Sequence, residues 1–162
     1  MTVVIEAATT GAVRALVDVC SPRALQRRFF LPAPMDRDTV WARYGSYLLA
    51  GPPLGTATVA TVDGHPVGLL NLIVVGERAA ELSLLVADGW QRRGVATRLL
   101  ATELGRPRWA GWTVQAIVQP DNLPVRSLLR SGRFGTWQLV DRDLSSWDFA
   151  LSLPSRQVPA LA

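Results

Sequence analysis

The most constraining pattern in this chain lies in residues 79–104, where a run typical of a β-strand leads through a short turn into an amphipathic helix. The largely apolar run Leu82–Val86 favours a strand, and the Asp-Gly dipeptide after it marks a turn. Further along, Gly105 and Pro107 are typical of the end of a helix. Between these signals, apolar residues recur at helical spacing: Val95, Ala96, Leu99, Leu100 and Leu104. The stretch therefore predicts a strand that feeds directly into a helix.

Two arginines and a glycine stand in the expected first turn of that helix, within the segment Gln91-Arg92-Arg93-Gly94-Val95-Ala96. The free N–H groups of a first turn and the positive end of the helix dipole together form an anion site. Gly94 has no Cβ to keep a phosphate away from the backbone. The chain has neither a G-x-x-x-x-G-K-[ST] loop nor a G-x-G-x-x-G loop after a strand. The segment therefore predicts a phosphate-bearing ligand that is bound by neither of these two loop types.

The basic residues narrow the classes of function. All 17 are arginine, and the absence of lysine excludes a Schiff-base lysine and a P-loop lysine. The arginines are spread without a run of five or six, so we expect no nucleic-acid partner. The net charge of +4 suits an anionic cofactor, and no metal site is expected.

Composition also bears on size and location. A chain of 162 residues, 49 % hydrophobic and 19 % charged, is folded and fits one domain, which we assign to residues 1–153 with a tail over 154–162. No charge-free apolar run approaches ~18 residues, and the N-terminus lacks a signal-peptide pattern. Because Cys20 is the single cysteine, no internal disulfide can form. We expect a cytoplasmic protein without membrane association, either a monomer or a homodimer.

Periodicity along the whole chain predicts the element order β-α-α-α-β-β-β-α-β-α-β-β. Ser21 is the expected N-cap of one helix, with Pro22 at its first position, and Asp63-Gly64 predicts a hairpin turn. The strands are expected at 2–8, 56–62, 67–75, 82–86, 112–118, 134–140 and 147–153, and the remaining helices at 10–20, 22–30, 36–49 and 121–131.

The segment Gln91–Ala96 resembles the Q/R-x-x-G-x-G/A signature of the GNAT N-acetyltransferase superfamily, and the element order over residues 2–153 is similar to the order in that family. The resemblance implies an α/β (α+β) GNAT fold, a mixed, mostly antiparallel twisted sheet of about six to seven strands with helices on both faces. It also implies acetyl-CoA as cosubstrate and transfer of the acetyl group to a primary amine.

A second segment, Ser21–Phe30 (SPRALQRRFF), resembles the corresponding segment of bacterial Pat-type protein lysine acetyltransferases, which belong to the same superfamily. An amphipathic helix that packs Leu25, Phe29 and Phe30 into the core would explain the same residue types. The two interpretations are compatible.

The resemblance to the superfamily implies which residues hold acetyl-CoA. Its members bind the pyrophosphate on the loop that opens the helix and the pantetheine arm along a strand that splays from its neighbour, where the N–H of Val86 is expected to polarise the thioester carbonyl. Asn122 matches an asparagine that opens the second cofactor-side helix, although an N-cap or Asx turn before Pro124 explains it equally well. The implied cofactor-binding residues are Leu84, Leu85, Val86, Gln91, Arg92, Arg93, Gly94, Val95, Ala96, Thr97 and Asn122.

Glu81 is the implied general base, because Ala80-Glu81 matches the Pat-type pattern at the start of the key strand. A carboxylate flanked by apolar strand residues is desolvated, which favours proton acceptance near neutral pH. The alternative is a strand-end carboxylate that faces solvent or pairs with Arg78. The expected proton donor is missing, because the tyrosine that many family members use falls on Leu129.

Three functions remain open at this stage. The segment SPxxxxRFF and the Ala80-Glu81 match favour a protein lysine as the acceptor. A small-molecule amine is the alternative acceptor. A non-catalytic acyl-CoA-binding module is the third possibility, and the missing tyrosine favours it. Two further residues receive ordinary roles: His65 is expected in a turn, and Cys20 is expected to pack rather than to act as a nucleophile.

Overall fold

The computed structural model describes residues 1–156, so most of the predicted tail over 154–162 lies outside the described residues. The strands are β1 (Val3–Ala7), β2 (Gly55–Val62), β3 (His65–Gly76), β4 (Ala79–Val86), β5 (Thr113–Val118), β6 (Gln138–Arg142) and β7 (Trp147–Ser152). The helices are α1 (Thr10–Val19), α2 (Pro22–Phe29), α3 (Arg37–Leu48), α4 (Val95–Leu104) and α5 (Leu123–Arg130).

One seven-stranded sheet runs through the fold in the order β1-β2-β3-β4-β5-β7-β6. Every neighbouring pair is antiparallel except β4 and β5, which are parallel. The last strand in sequence, β7, lies between β5 and β6. The expected mixed, mostly antiparallel sheet is therefore confirmed.

The sheet has a hydrophobic core on each face. Helices α1, α2 and α3 cover one face, where Leu16, Leu25 and Leu48 pack with Leu69 and Leu85 of the sheet. Helices α4 and α5 cover the other face, where Leu99 and Leu129 belong to a cluster that contains the alternate sheet residues. Because successive side chains of a strand point to opposite faces, β3 and β4 contribute to both cores. The expected helices on both faces are confirmed.

Local signals set several boundaries as predicted. The hydroxyl of Ser21 accepts a hydrogen bond from the Ala24 N–H at 3.1 Å, and Pro22 occupies the first position of α2. Asp63 and Gly64 both have positive φ in the turn between β2 and β3. Among residues 1–156, no helix has both the length and the apolar character needed to cross a membrane.

Gly68 allows α4 to lie close to the sheet. A Cβ at this position would approach Val95 Cγ1 to 2.7 Å and Leu99 Cδ1 to 3.2 Å. Gly68 is also the register partner of Val86, the last residue of β4. The glycine thus brings the start of α4 next to the end of β4, where the anion site was expected.

Two predicted boundaries are wrong. The arginines at positions 92 and 93 precede α4 rather than forming its first turn, because Arg92 and Gly94 have φ of 60° and 81°, values that a right-handed helix does not allow. The strand predicted at 134–140 instead begins at Gln138, because Gly135 has a φ of 113°. Phe134 and Trp137 pack against the core from this irregular segment.

Candidate active site

A cleft opens in the sheet between β4 and β5. These parallel strands pair only at their beginnings, Ala79–Glu81 with Thr113–Gln115. Beyond that point the strands diverge around a cleft of about 1250 Å³, which is lined by the rest of β4, the end of β5 and residues of α2, α3, α4 and α5. The splayed strand pair that the resemblance implied is therefore present.

Backbone groups of β4 face this cleft. The Ala87 N–H donates to the Val67 carbonyl at 3.0 Å, toward β3. Since backbone polar groups alternate in direction along a strand, Leu82, Leu84 and Val86 turn theirs away from β3 and toward the cleft. The Val86 carbonyl accepts a hydrogen bond from Gln91 Nε2 at 3.2 Å. The edge can therefore pair with an extended ligand as another strand would.

The loop between β4 and α4 forms a cradle for an anion. Arg92 and Gly94 both adopt the left-handed conformation, and successive backbone N–H groups in such a segment converge on one point. Gly94 is the N-cap of α4, and no side chain caps this helix end. A Cβ placed on Gly94 would meet only open space. The free N–H groups at the start of the ten-residue helix α4 thus border an open volume that fits a phosphate or pyrophosphate.

Almost all of the predicted cofactor-binding residues border the cleft. Arg93 differs, because its guanidinium carbon lies 5.1 Å from the Trp90 ring centroid and it is not part of the cleft wall. Leu85 borders the cleft, but its backbone pairs with Leu69 of β3. Its side chain is 3 % exposed and packs in the core between the sheet and helices α1, α2 and α3. The residues that line the cleft are Leu84, Leu85, Val86, Gln91, Arg92, Gly94, Val95, Ala96, Thr97 and Asn122.

Glu81 lines the cleft where β4 and β5 part. It is half-buried, and its side chain lies on the sheet face covered by α2 and α3, the face that Leu85 also occupies. Over residues 1–156, its carboxylate makes no hydrogen bond or salt bridge to another side chain. The alternative of a pair with Arg78 is wrong, because Arg78 donates to the Ala110 carbonyl at 3.1 Å. The Glu81 carboxylate is therefore available to a ligand.

The second cofactor-side helix opens at Asn122. Asn122 is the N-cap residue of α5, as the alternative expected, but its side chain makes no capping hydrogen bond. Leu129, at the position where many family members have tyrosine, is 2 % exposed in the core. That position supplies no proton donor to the cleft.

Eight cleft residues come from α2, its C-cap Phe30 and α3, and none of them was among the site residues expected from the sequence. Phe30 is 43 % exposed and lines the cleft, so its expected place in the core is wrong. It ends α2 with a φ of 53°, which turns the chain out of the helix. Arg28, Tyr44 and Tyr47 also line the cleft. In the sequence these residues only formed part of an amphipathic helical pattern. Such a pattern does not show whether the polar side of the helix faces solvent or a cleft.

Arg28 is enclosed beside Glu81. Burial lowers the pKa of the Arg28 guanidinium to about 10, and the nearby Tyr47 and Glu81 offset part of that effect. Its Nη2 donates to Asn71 Oδ1 at 3.2 Å. Among the described residues, Nε has no hydrogen-bond partner. On the side of the cleft formed by α2 and α3, the half-buried Arg28 guanidinium therefore lies near the Glu81 carboxylate.

Comparison with known proteins agrees with this geometry. The acetyltransferase (GNAT) family matches residues 13–133, which include β4, the loop and α4. The chain belongs to this family. The prediction of an acyltransferase enzyme is thereby confirmed. No curated protein sequence matches the chain.

Solved structures of other GNAT proteins share the fold at low sequence identity. The yncA protein from Salmonella typhimurium, solved with its cofactor acetyl-CoA, has 17 % identity and a TM-score of 0.73, with 100 % of each chain covered. The GNAT domain of S. lividans PAT has 21 % identity and a TM-score of 0.71, over 92 % of this chain and 89 % of that one. The ribosomal-protein-S18-alanine N-acetyltransferase from Escherichia coli has 15 % identity and a TM-score of 0.69, over 98 % of each chain.

Within this GNAT fold, Cys20 packs in the core as expected, whereas His65 lies one residue beyond the turn where it was expected. Burial raises the pKa of the Cys20 thiol to about 12, so the thiol stays protonated and is a poor nucleophile. His65 is exposed at the start of β3, next to the hairpin turn.

Proposed function

We propose that this protein is an acetyl-CoA-dependent N-acetyltransferase that uses Glu81 as general base. The observation that carries the proposal is the start of α4, which has no side-chain cap at Gly94 and follows Arg92 and Gly94 with positive φ, beside the part of the β4 edge that does not pair with β5. Pyrophosphate fits the first feature, and an amide-bearing pantetheine arm fits the second.

When bound, acetyl-CoA supplies an acetyl group activated as a thioester. The N–H groups of Leu84 and Val86 face the cleft and can donate to the amides and carbonyl of an extended donor lying along β4. Glu81 belongs to the same strand, and its side chain lies on the sheet face covered by α2 and α3. It receives the proton that the acceptor ammonium must lose. Leu129 is buried and carries no proton donor, so the departing thiolate would have to be protonated from elsewhere, with water as the simplest source.

For the acceptor we propose a primary amine, with a protein lysine as the first candidate. The support is the Ser21–Phe30 segment, whose residues Arg27, Arg28, Phe29 and Phe30 line the cleft beside Glu81. A small-molecule amine uses the same chemistry and is the alternative. Because this chain contains no lysine, any acetyl-lysine formed in an assay belongs to the acceptor. We expect the reaction to take place in the cytoplasm.

The first experiment is calorimetric titration with acetyl-CoA, compared with desulfo-CoA and ATP, followed by an acetyl-transfer assay. We expect Gly94→Glu to abolish binding, because it places a negative side chain in the proposed pyrophosphate cradle. Gly132→Glu is the matched control, since Gly132 also has a positive φ (70°), also faces open space and does not line the cleft.

The outcomes separate the candidates. Absence of acetyl-CoA binding by the wild type would overturn the proposal. Binding without transfer to any amine would instead favour the non-catalytic acyl-CoA-binding module. Equal loss of binding in both glycine variants would show that the effect comes from backbone strain rather than from the cradle.

A further inference from the structure

Positive charge dominates the wall of the cleft. Within residues 1–156, its lining includes four arginines but a single carboxylate, that of Glu81. Arg27 is already paired with Asp121, with Nη2 to Oδ2 at 3.1 Å, and Arg92 belongs to the loop before α4. Arg28 and Arg43 remain on the side of the cleft formed by α2 and α3. The positive charges in this half of the cleft would repel an acceptor that carries a second positive charge besides its ammonium group.

Arg28 is held in place by the sheet. Asn71 of β3 is fully buried, and its Nδ2 donates to the Leu48 carbonyl at 3.0 Å. That hydrogen bond orients the Asn71 amide so that Oδ1 accepts from Arg28 Nη2 at 3.2 Å. The Arg28 guanidinium carbon also lies 4.8 Å from the Phe29 ring centroid and 5.8 Å from that of Tyr47. The guanidinium is therefore fixed in position before any ligand binds.

The hydrogen-bonding capacity of Arg28 is mostly unused. A guanidinium has five N–H donors, arranged to bind a carboxylate at two points. Here, one neutral amide oxygen accepts from it, and the buried Nε has no partner among the described residues. No carboxylate of residues 1–156 forms a salt bridge with it. Arg28 is thus a half-buried cation whose charge Glu81 favours only from beyond salt-bridge distance, and most of its donors remain open to a ligand carboxylate.

Arg28 and Glu81 share one face of the sheet. Asn71, which holds Arg28, is the register partner of Ser83, and Ser83 is two residues from Glu81 on the same strand. Residues two apart in a strand lie about 6.5–7 Å from each other on the same face. Glu81 also acts electrostatically on the Arg28 guanidinium, so the cation and the carboxylate border the same part of the cleft.

Resting on the proposed function, we propose that the acceptor is an amine that also carries a carboxylate. The carboxylate pairs with the Arg28 guanidinium, while the ammonium lies at Glu81 and loses its proton there. This chemistry has two sources: a free amino acid, or a protein lysine with an acidic residue beside it. An acceptor with a second cation is disfavoured by Arg28 and Arg43.

The test uses acceptors that differ only in the carboxylate. The free amino acids are glycine, β-alanine, 4-aminobutyrate and 6-aminohexanoate, each compared with its own amide. The peptides are a lysine peptide with a neighbouring Glu and the same peptide with Gln. We expect the carboxylate-bearing member of the productive series to have a kcat/KM about 10- to 100-fold higher than its neutral counterpart, mostly through KM. The series that shows the difference identifies the source.

Variants assign the effect to Arg28. In Arg28→Gln the carboxylate preference should vanish, and in Arg28→Lys it should be partly retained. Arg23→Gln is the control, because Arg23 is exposed on the same helix and does not line the cleft. Calorimetric binding of the same acceptors without acetyl-CoA gives a readout that does not depend on turnover.

The outcomes distinguish this proposal from the proposed function. Equal kcat/KM for acids and amides in the wild type would overturn carboxylate recognition while leaving acetyl transfer intact. If no acceptor is acetylated, the calorimetry decides: tighter binding of the acids, lost in Arg28→Gln, supports the carboxylate site, and equal binding overturns it. Failure of acetyl-CoA to bind would overturn the proposed function by itself.

Discussion

Glu81 on β4 and Glu103 on α4 are both enclosed by the fold, but their surroundings differ completely. Glu103 is fully buried, and its carboxylate accepts from Thr58 Oγ1 at 2.9 Å and Trp109 Nε1 at 2.9 Å and forms a salt bridge with Arg106, Nε to Oε2 at 3.0 Å. The hydroxyl of Thr56 adds a further hydrogen bond at 2.8 Å. Glu81 borders an open cleft and, in the described chain, has no such partners.

The difference shows how a carboxylate is made structural or left reactive. A buried carboxylate is tolerated when donors satisfy its oxygens, and Glu103 meets that condition. Its hydrogen bonds fasten the C-terminal end of α4 to β2, which leaves the N-terminal end of the helix to border the cleft. The Glu81 carboxylate has no side-chain partner among residues 1–156, so its lone pairs remain open to the cleft. Glu103 therefore anchors the C-terminal end of α4 to the sheet, whereas Glu81, on the strand that precedes α4, borders the cleft.

The largest effect is expected for Glu81→Gln. Removal of a general base lowers kcat/KM by about 10²–10⁴-fold, which corresponds to ~2.7–5.5 kcal/mol of transition-state stabilisation. The free energy of unfolding should change by less than about 0.5 kcal/mol, because the carboxylate has no protein partner to lose. Steady-state kinetics and urea unfolding measure the two quantities. A variant with a near-wild-type rate and pH profile would remove Glu81 from the mechanism.

The converse is expected for Glu103→Leu. The substitution leaves the donors of Thr58, Trp109 and Arg106 without an acceptor, and disruption of such a buried charged network costs about 3–5 kcal/mol of unfolding free energy. Activity per folded molecule should stay near that of the wild type. Glu103→Gln keeps the volume and should lose less. If unfolding by urea is unchanged in Glu103→Leu, the comparison between the two glutamates is wrong.

A smaller effect is expected for Arg106→Gln, which removes the one charged partner that Glu103 has within residues 1–156. The side chain of Arg106 is 44 % exposed, so its pair with Glu103 contributes only about 0–1 kcal/mol. Comparison of the unfolding free energies of Arg106→Gln and Glu103→Leu in urea would separate the contribution of the ion pair from that of the hydrogen bonds. A loss as large as that in Glu103→Leu would mean that the ion pair dominates the network.

The smallest effect concerns Asp88, a carboxylate that is exposed yet hydrogen-bonded. Partial burial acts to raise its pKa, but the Ser21 hydroxyl at 2.7 Å and the Ser21 N–H at 2.8 Å outweigh this and lower the pKa below its ordinary value. A lowered folded-state pKa stabilises the protein above the unfolded-state pKa of about 3.9, and the contribution is lost as pH falls through the folded-state value.

The difference in stability between the wild type and Asp88→Asn should therefore be present at pH 7 and shrink below about pH 4. Because Asp88 is largely exposed, we expect a difference of less than about 1 kcal/mol. Thermal unfolding of both proteins across pH measures it. A difference that does not change with pH would show that the Asp88 charge makes no contribution.

Much of the fold could be predicted because its signals are local. Ser21 and Pro22 open a helix, Asp63-Gly64 turns a hairpin, and Gly105 follows the last residue of α4, each through the geometry of a few adjacent residues. The family signature at Gln91–Ala96 likewise lies within one loop. The start of α4 was nevertheless placed too early, since the sequence does not show that Arg92 adopts a positive φ.

The candidate site could be predicted only in part. Its donor-binding half comes from one continuous stretch, β4 to α4, and nearly all of the residues expected there line the cleft. Its acceptor half was missed, because Arg28 and Tyr47 come from separate helices and meet Glu81 only through packing on the sheet. The surroundings of Glu103 were missed for the same reason, since Thr58 is 45 residues away in the chain.

The sequence by itself determined the elements, the loop before α4 and the family, since dihedral preferences and hydrophobic periodicity act over a few residues. The tertiary structure decided which elements meet. The insertion of β7 between β5 and β6 and the divergence of β4 from β5 depend on pairing between distant segments, which share no local signal. The same long-range packing decided that the Glu103 carboxylate is held by hydrogen bonds and that Glu81 borders the open cleft.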